Sequence, residues 1–395
     1  MESTKRNIPL AVPNIGETEV EAVIAAIRSG WVSTAGPSVN EIEKLGAQIN
    51  RTEEAVAVAA GTMAIHVALV AVGVARNDVV IAPSYSFVAT ANAISHAGAD
   101  PVFVDIDPAD LTMSPAALRD WLTTRTGREA DGRLILTGTG QRVSAVVPVY
   151  ANGHPADIDA IMAIAHEFGL PVVADAAAAI GATSRGRPLG GLADLTAFSF
   201  NGNKTVTSGG GGMVTGPDVA LVRKVRHLVT TARIGTDYDH DVVGFNYRIT
   251  NLEAALGAAQ LRRLDEFLAR KRAVHDAYVA AFAGRDDVSG FPMTDPGSAC
   301  WFSGLVLSET AGTTVPELIA ALNELGIGVR PFWIPMHLVK AYKDLKHRAF
   351  DGPLPETEKV YRRILPLPNS TNLGDDDLAY VVAAVVDLLD RAAAK

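Results

Sequence analysis

A lysine followed by a run of glycines is the pattern in this sequence with the clearest chemical meaning. Lys204 comes just after the apolar residues 196–200, and residues 209–212 are all glycine. Loops that follow buried strands face ligand clefts, and glycines let the backbone approach a ligand closely. The pattern therefore places Lys204 where it could do chemistry. A solvated lysine beside a flexible turn would give the same local sequence, and this segment alone does not separate the two interpretations.

The same segment superficially resembles the end of a phosphate-binding loop. Gly202, Asn203, Lys204 and Thr205 follow one another, but that motif needs glycine directly before the lysine, so that backbone amides can wrap the phosphates. Because Asn203 occupies this position, the sequence argues against a nucleotide triphosphatase.

A carboxylate stands at the end of another apolar segment. Asp175 follows residues 170–174, and a buried charge there needs a cationic or hydrogen-bonding partner. The ring nitrogen of pyridoxal phosphate would be such a partner, because a carboxylate beside it keeps the pyridinium protonated and makes the ring an electron sink. The alternative role of an aspartate at the end of a strand is to cap a helix.

A turn of small residues at the start of a predicted helix is suited to bind phosphate. Free backbone amides and the positive end of the helix dipole would lie at Gly61, Thr62 and Met63. An ordinary helix capped by Thr62 is the alternative. His66, one turn further along, is expected to pack inside the protein.

The elements that must position these residues alternate along the chain as strands and helices, which is typical of a sheet with crossover helices. The strands are uniformly apolar, as expected when helices cover both faces of a mostly parallel sheet. The predicted strands cover residues 55–59, 79–82, 101–105, 145–149, 171–174, 196–200 and 212–215. An entry helix at residues 17–28 precedes predicted helices at residues 63–72, 87–96, 115–122 and 158–168.

The chain is long enough for two domains, and its C-terminal part changes character. We expect a large α/β domain over residues 1–255, and then a connecting helix or helix pair and a smaller α+β domain over residues 256–395. Residues 123–142 are polar and rich in glycine, which predicts a surface excursion. In the smaller domain, strands are expected at residues 302–307 and 327–330, and a last helix starting near Asp375.

Composition excludes several other classes of protein. The net charge of −9 and the absence of long Lys/Arg runs argue against nucleic acid as a partner. Cys300 is the only cysteine, and residues 1–13 lack the pattern of a signal peptide, so a cytoplasmic location is expected. No apolar stretch approaches the roughly 20 residues that cross a bilayer, and no metal-ligand spacing occurs. Neither a membrane span nor a metal site is expected.

Together and in this order, the three chemical segments resemble the DegT/DnrJ/EryC1/StrS family of sugar aminotransferases, within the fold-type I pyridoxal-phosphate enzymes. The resemblance spans nearly the whole chain, from Ile8 to His337, and is strongest to members that act on nucleotide-linked 4-keto-6-deoxy hexoses. It implies an α/β fold with a mostly parallel central sheet, helices on both faces and a smaller C-terminal α+β domain.

The resemblance also implies roles for individual residues. Lys204 would hold pyridoxal 5'-phosphate as a Schiff base and Asp175 would face the ring nitrogen, so these two would be the catalytic residues. Phe87 would stack on the cofactor ring. Asn246 would reach the phosphate from a neighbouring subunit, so that a homodimer shares its active sites. The remaining cofactor-binding residues would be Gly61, Thr62, Met63 and Ser199.

The sequence departs from the family pattern at two places. Ala178 stands three residues after Asp175, where Gln, Glu or His is usual near the ring hydroxyl, and Ala174 replaces an acid. These differences put the electronics of the ring in doubt rather than cofactor binding. Tyr150 and Asn152 stand where His and an aromatic residue are common, and are expected to reshape the substrate pocket.

The reaction expected from the resemblance is transfer of an amino group from L-glutamate to a keto carbon, C4, of a nucleotide-linked deoxysugar. One alternative is an enzyme of the same fold that acts on a non-sugar ketone such as a cyclitol. A dehydratase is disfavoured because Lys204 is present. A cofactor-binding regulatory protein without turnover is a second alternative, with slight support from Ala178.

Overall fold

A computed structural model of the chain describes residues 6–293, 295–344 and 351–394. Its strands are β1 (Ala55–Val58), β2 (Val79–Pro83), β3 (Asp100–Val104), β4 (Thr126–Arg128), β5 (Leu134–Leu136), β6 (Val143–Val146), β7 (Val173–Asp175), β8 (Thr183–Ser184), β9 (Arg187–Pro188), β10 (Leu195–Ser199), β11 (Gly212–Thr215), β12 (Arg233–Ile234), β13 (Asp239–His240), β14 (Val288–Gly290), β15 (Ser303–Leu307) and β16 (Ile364–Leu367). Its helices are α1 (Glu17–Arg28), α2 (Pro37–Asn50), α3 (Gly61–Ala71), α4 (Val88–His96), α5 (Pro115–Arg125), α6 (Ile158–Glu167), α7 (Val219–Val229), α8 (Asn251–Arg262), α9 (Leu264–Ala281), α10 (Val315–Glu324), α11 (Pro355–Val360) and α12 (Asp375–Ala393).

A central sheet runs in the order β3-β2-β6-β7-β10-β11-β1. The pairs β3-β2, β2-β6 and β7-β10 are parallel, and parallel bridges at Val146–Val172 and Val149–Asp175 join β6 to β7. Only β11 runs against its neighbours in this sheet as described, because both its pairings are antiparallel. The sheet is therefore mostly parallel, as predicted.

Successive residues of each strand pack on opposite faces of the sheet, because strand side chains alternate in direction. In β2, Val79 and Ile81 join the apolar cluster that contains residues of α2, α5, α6 and α8. Val80 and Ala82 join the cluster that contains residues of α3, α4 and α7. Helices thus cover both faces, which explains why the strands are apolar throughout.

Short two-stranded hairpins form in addition to the central sheet. The predicted surface excursion contains one of them, β4 paired antiparallel with β5, and Leu134 and Leu136 are buried. That segment therefore has more structure than expected, because two leucines among polar residues suffice to anchor a strand. The pairs β8-β9 and β12-β13 each consist of two residues per strand.

The C-terminal part forms its own apolar cluster from α9, α10, α12 and the antiparallel sheet β14-β15-β16. The predicted helix pair is α8 and α9, and α12 begins at Asp375 as predicted. The strand expected at residues 327–330 is reduced to one bridge, in which Ile327 pairs with Ile8 of the N-terminal arm. The domain division at residues 255 and 256 stays a prediction. Within the described residues, no helix is long and apolar enough to cross a membrane.

Candidate active site

A cavity of about 510 Å³ opens where the parallel strands end. Strands β1, β2, β7 and β10 all point their carboxyl ends at this edge, which is where ligands bind in open α/β sheets. Residues of the C-terminal part close the opposite wall. The cavity is lined by Leu10, Ala60, Gly61, Thr62, Ile65, Phe87, Ala89, Ala177, Ser199, Asn201, Asn203, Lys204, Gly210, Gly211, Trp301, Phe302, Arg330, Pro331, Phe332 and Trp333.

The amine of Lys204 lies in this cavity. Its Nζ sits 3.7 Å from the centre of the Trp301 ring. Burial lowers the pKa of Lys204 to about 8, and the negative charge of Asp175 acts in the opposite direction. An amine with this pKa exchanges protons readily near neutral pH, which a solvated lysine does not. The environment therefore favours the chemical interpretation of Lys204.

Asp175 ends β7 and is buried, with 5% of its surface exposed. The Thr90 hydroxyl donates a hydrogen bond to its Oδ2 at 2.6 Å, and the Ala177 amide donates to Oδ1 at 3.0 Å. Burial raises the pKa of Asp175, while these hydrogen bonds and the charge of Lys204 oppose the rise. The Ser86 hydroxyl lies 2.6 Å from that of Thr90. Asp175 is thus the last member of a buried hydrogen-bonded series that also includes Thr90 and Ser86, and it caps no long helix.

Helix α3 begins at Gly61 with no side chain capping its first turn. The N-cap residue is Ala60, so Thr62 lies inside the helix and is not the cap. A Cβ atom added to Gly61 would come within 2.6 Å of Ser199 Cβ, so the helix start and β10 meet at a distance that only glycine allows. The uncapped amides beside the Ser199 hydroxyl are suited to an anion.

The structure brings together most of the predicted site residues. Gly61, Thr62, Phe87, Ser199 and Lys204 line the cavity, and Asp175 acts on Lys204 from just beneath it. The other two predicted residues, Met63 and Asn246, do not line it. Asn246 instead lines a separate cavity of about 430 Å³, together with Arg233, Tyr238 and Arg248.

Comparisons with known proteins show the family of the chain. The family model described as the DegT/DnrJ/EryC1/StrS aminotransferase family matches residues 13–386. The chain belongs to this family. GDP-perosamine synthase of Caulobacter vibrioides is 36% identical over 392 residues, which cover 97% of this chain and 98% of the relative. Spore coat polysaccharide biosynthesis protein SpsC of Bacillus subtilis is 35% identical over 405 residues, covering 98% of this chain and 99% of the relative.

Solved structures give the same result. The crystal structure of DesI in the presence of its TDP-sugar product has a TM-score of 0.86 at 28% identity, and covers 98% of this chain and 94% of that one. The aminotransferase TlmJ from Streptoalloteichus hindustanus has a TM-score of 0.85 at 29% identity, with 97% and 99% coverage. The protein is thus a pyridoxal-phosphate-dependent aminotransferase, and the predictions of the family, the fold class, the aminotransferase class of enzyme and the cofactor are confirmed.

The residues present at the cavity fit this cofactor. A buried carboxylate suits its ring nitrogen, uncapped helix amides suit its phosphate, and a lysine amine of lowered pKa suits its aldehyde. All three features converge on one cavity, although they lie far apart in sequence. This edge of the sheet in the DegT-family aminotransferase therefore has groups that suit the ring nitrogen, the phosphate and the aldehyde of the cofactor.

Sequence patterns missed three residues of this site. Thr90 bonds Asp175, Trp301 lies under Lys204, and Arg330 lines the cavity. Within the described residues, the Arg330 guanidinium forms neither an ion pair nor a hydrogen bond. The sequence offered one signal for Arg330, which is that it lies in the last segment that resembles the family. No residue spacing connects Arg330 to Lys204.

The two departures from the family pattern lie together. Ala178 is buried in an aromatic cluster with Tyr85, Trp301 and Phe302, and Ala177 rather than Ala178 lines the cavity. Tyr150 and Asn152 follow β6 beside it, and Asn152 adopts a left-handed conformation with φ of 56°. In the described part of the chain, Tyr150 Oη and Asn152 Oδ1 are buried without a hydrogen-bond partner.

His66 packs in the core, as predicted. It is 5% exposed and lies edge-on to Phe245 with ring centres 5.0 Å apart. Burial lowers the pKa of His66 to about 4, and the neighbouring His96 adds to this effect. His66 is therefore neutral near pH 7 and has no role in the cavity.

Proposed function

We propose that this aminotransferase moves an amino group from L-glutamate to the C4 ketone of a nucleotide-linked keto-deoxysugar. The observation that carries the proposal is the Lys204 amine, which lies in the cavity with a lowered pKa and is attracted by Asp175. Relatives with 31–36% identity in three bacteria are named GDP-perosamine synthase, and DesI was crystallised with a TDP-sugar product. These names support a nucleotide-sugar acceptor.

Lys204 has two tasks in this proposal. Its amine would hold the cofactor at rest, and once an amino donor had freed it, the amine would carry a proton away from the donor α-carbon. The pyridine ring of the bound cofactor supplies the electron sink for that step. A pKa near 8 supports both tasks, because neutral and protonated forms of Lys204 are then both populated near neutral pH.

Asp175 and helix α3 hold the two ends of the cofactor in this proposal. Asp175, oriented by Thr90, would keep a proton on the ring nitrogen. The first-turn amides of α3 and the Ser199 hydroxyl would bind the phosphate, with Phe87, 56% exposed at the cavity, stacking on the ring.

We further propose a homodimer in which Asn246 completes the active site of a second subunit. Within one chain Asn246 lies outside the Lys204 cavity, so a contact with the same phosphate needs another copy. Trp31 is 54% and Val32 45% exposed, and Trp31 lines a surface pocket together with Arg248. The exposure of these apolar side chains supports the proposal, because a second copy would bury them.

The position of Arg330 at the cavity supports the proposal that the substrates carry negative charge. The Arg330 guanidinium at the cavity, which no described residue pairs with, can bind two oxygens of a carboxylate or of a diphosphate at once. Both proposed substrates, glutamate and a nucleotide sugar, carry such a group.

The proposal is tested by incubating purified enzyme with glutamate and a panel of nucleotide 4-keto sugars. We expect an amino sugar from at least one member and a matched amount of 2-oxoglutarate, both measured by mass spectrometry. Non-sugar ketones such as cyclitols serve as the competing class. Preferred turnover of a cyclitol would contradict the sugar substrate, and 2-oxoglutarate failing to form with any acceptor would contradict the donor.

Lys204→Ala is the control for this experiment. It removes the amine, so the variant should produce no amino sugar, and borohydride treatment should leave no lysine peptide carrying the reduced cofactor. A stoichiometric adduct on another lysine of the variant would show that Lys204 was wrongly assigned.

A further inference from the structure

Every backbone and side-chain polar group of Trp301 is hydrogen-bonded. Its amide donates to the Asn152 carbonyl at 2.9 Å, and its indole N–H donates to the Asn203 carbonyl at 2.7 Å. Its own carbonyl accepts a hydrogen bond from Lys271 Nζ at 2.9 Å. Three separate parts of the chain therefore fix one tryptophan, and one of them is the residue directly before Lys204.

The residues that hold Trp301 in place are buried. Lys271 of α9 is 3% exposed, and besides Trp301 its amine donates to the carbonyl of Asn369. Cys300 has a φ of 47°, and its carbonyl accepts a hydrogen bond from Asn369 Nδ2 at 2.8 Å. No carboxylate among the described residues pairs with Lys271, and because burying an amine is costly, its hydrogen bonds to the two carbonyls must offset that cost. A fixed orientation of Trp301 is the result.

The face of this tryptophan lies against the Lys204 amine. The distance from Nζ to the ring centre is 3.7 Å, well within the range of a cation–π contact. Within the described residues, the Lys204 amine donates no hydrogen bond. Besides the charge of Asp175, the Trp301 ring is thus the group that stabilises this amine.

We propose that Trp301 is a positioning residue that holds the Lys204 amine over its ring whenever that amine is not bonded to the cofactor. The inference rests on the proposed role of Lys204. It adds that the lysine is kept at one place in the cavity between taking up a proton and releasing it.

The proton balance is simple. The α C–H bond of the donor would break, the lone pair of the Lys204 amine would bind the proton, and the electron sink that the cofactor supplies would hold the electron pair. The ammonium so formed is stabilised by the electron-rich face of Trp301. The amine would become neutral again when it releases the same proton in the second half of the transfer. A tryptophan face favours the ammonium, so its removal must lower the pKa of Lys204.

The test measures the pKa of Lys204 in the full-length protein freed of cofactor, by competitive labelling with acetic anhydride at a series of pH values. Trp301→Leu removes the ring, and we expect the pKa of Lys204 to fall by about 0.5 to 1.5 units. Trp301→Phe keeps an aromatic face but loses the bond to Asn203, and should give an intermediate value. Because no substrate is present, a failure here would leave the proposed reaction untouched.

Trp333→Leu is the matched control. Trp333 lines the same cavity and stacks on Trp301 at 6.2 Å, but has no contact with the Lys204 amine. The Trp333→Leu variant should leave the pKa of Lys204 unchanged. An unchanged pKa in Trp301→Leu, or an equal fall in both leucine variants, would overturn the proposal.

A second measurement covers the case in which Trp301→Leu does not fold. Growth on 5-fluorotryptophan replaces all four tryptophans by a ring of nearly the same shape whose face is less electron-rich. All hydrogen bonds of Trp301 are retained, so a purely structural role predicts no change. We expect a smaller fall in the pKa of Lys204 than in Trp301→Leu, and no fall at all would contradict the cation–π contact.

Discussion

At the scale of single residues, the site depends on charges kept away from water. Asp175 is buried, and the charge of Lys204 acts on it. A buried carboxylate interacts more strongly with a nearby cation than one in water, because less solvent screens the charges. The protonated ring nitrogen of the cofactor would be a second such cation. The proposed role of Asp175 is therefore electrostatic, and its geometry is set by Thr90.

This role predicts the behaviour of Asp175→Asn. An amide keeps the shape but cannot hold the pyridinium charge, so cofactor should stay bound while the donor half-reaction slows about 10²- to 10³-fold. Stopped-flow absorbance gives the rate, and the phosphate content of the protein gives the occupancy. Thr90→Val, which leaves the carboxylate in place, should lose less activity. Near-normal turnover at full occupancy in Asp175→Asn would rule out the role.

Lys204 and Asp175 became candidates because each follows an apolar strand, and polar residues at strand ends are recognisable locally, while their roles came from the family resemblance. Thr90 and Trp301 could not be predicted in this way. Thr90 lies on a helix among apolar and small residues, and its partner is Asp175 across the sheet. Trp301 approaches Lys204 from the C-terminal part of the chain. Such contacts depend on tertiary packing, which local spacing does not encode.

At the scale of elements, the start of α3 is the most constrained part of the site. Gly61 begins the helix at the point where a Cβ would overlap Ser199. The first turn has no capping side chain, so its amides remain available to an anion. The closeness of the two elements, rather than any single side chain, makes this position suitable for the cofactor phosphate.

Gly61→Ala should therefore weaken cofactor binding. The added methyl would push α3 away from β10, and we expect the dissociation constant of pyridoxal phosphate to rise at least about 10-fold, which is roughly 1.4 kcal/mol. Equilibrium dialysis measures it. Gly374→Ala is the control, since a Cβ at Gly374 meets nothing within 4 Å. Equal affinity in both variants would show that the close approach does not matter to the cofactor.

Most elements of the large sheet could be predicted because buried parallel strands are apolar and bounded by turns. The hairpin β4-β5 within residues 123–142 was not predicted, because its buried residues Leu134 and Leu136 stand among polar neighbours. In the C-terminal part, β16 escaped prediction because Pro366 lies within it. Proline is unusual in strands, but here β16 pairs with β15 alone and stands at a sheet edge.

At the scale of the whole molecule, the site described in one chain is incomplete under the proposed function. Asn246 and Arg248 line a cavity of their own, next to the exposed Trp31 and Val32. A two-fold axis would bring this surface against the Lys204 cavity of a second copy. The sequence suggested this arrangement through family resemblance alone, since apolar periodicity says nothing about which surface faces another subunit.

Mixed dimers give a sharp test of the shared site. Lys204→Ala and Asn246→Asp should each be nearly inactive, the second because its charge repels the cofactor phosphate. When the two variants are refolded together one to one, about half of the dimers are mixed and roughly a quarter of all sites should be intact. Subunit exchange is verified with tagged chains by native mass spectrometry. If activity does not return although exchange is complete, both residues serve the same subunit.

The pairing of Ile8 with the C-terminal part affects how the molecule can be made. The Ile8 amide donates to the Gly326 carbonyl, the Gly328 amide donates to the Ile8 carbonyl, and Ile8 is buried among residues of α9, α10 and α12. During synthesis on the ribosome, Ile8 emerges long before Gly326 and Gly328 and cannot form this pairing until they follow. Contacts so distant in sequence form late in folding. Because Leu10 of the same arm lines the Lys204 cavity together with residues 330–333, a nascent chain cannot complete its cofactor pocket before those residues have been synthesised.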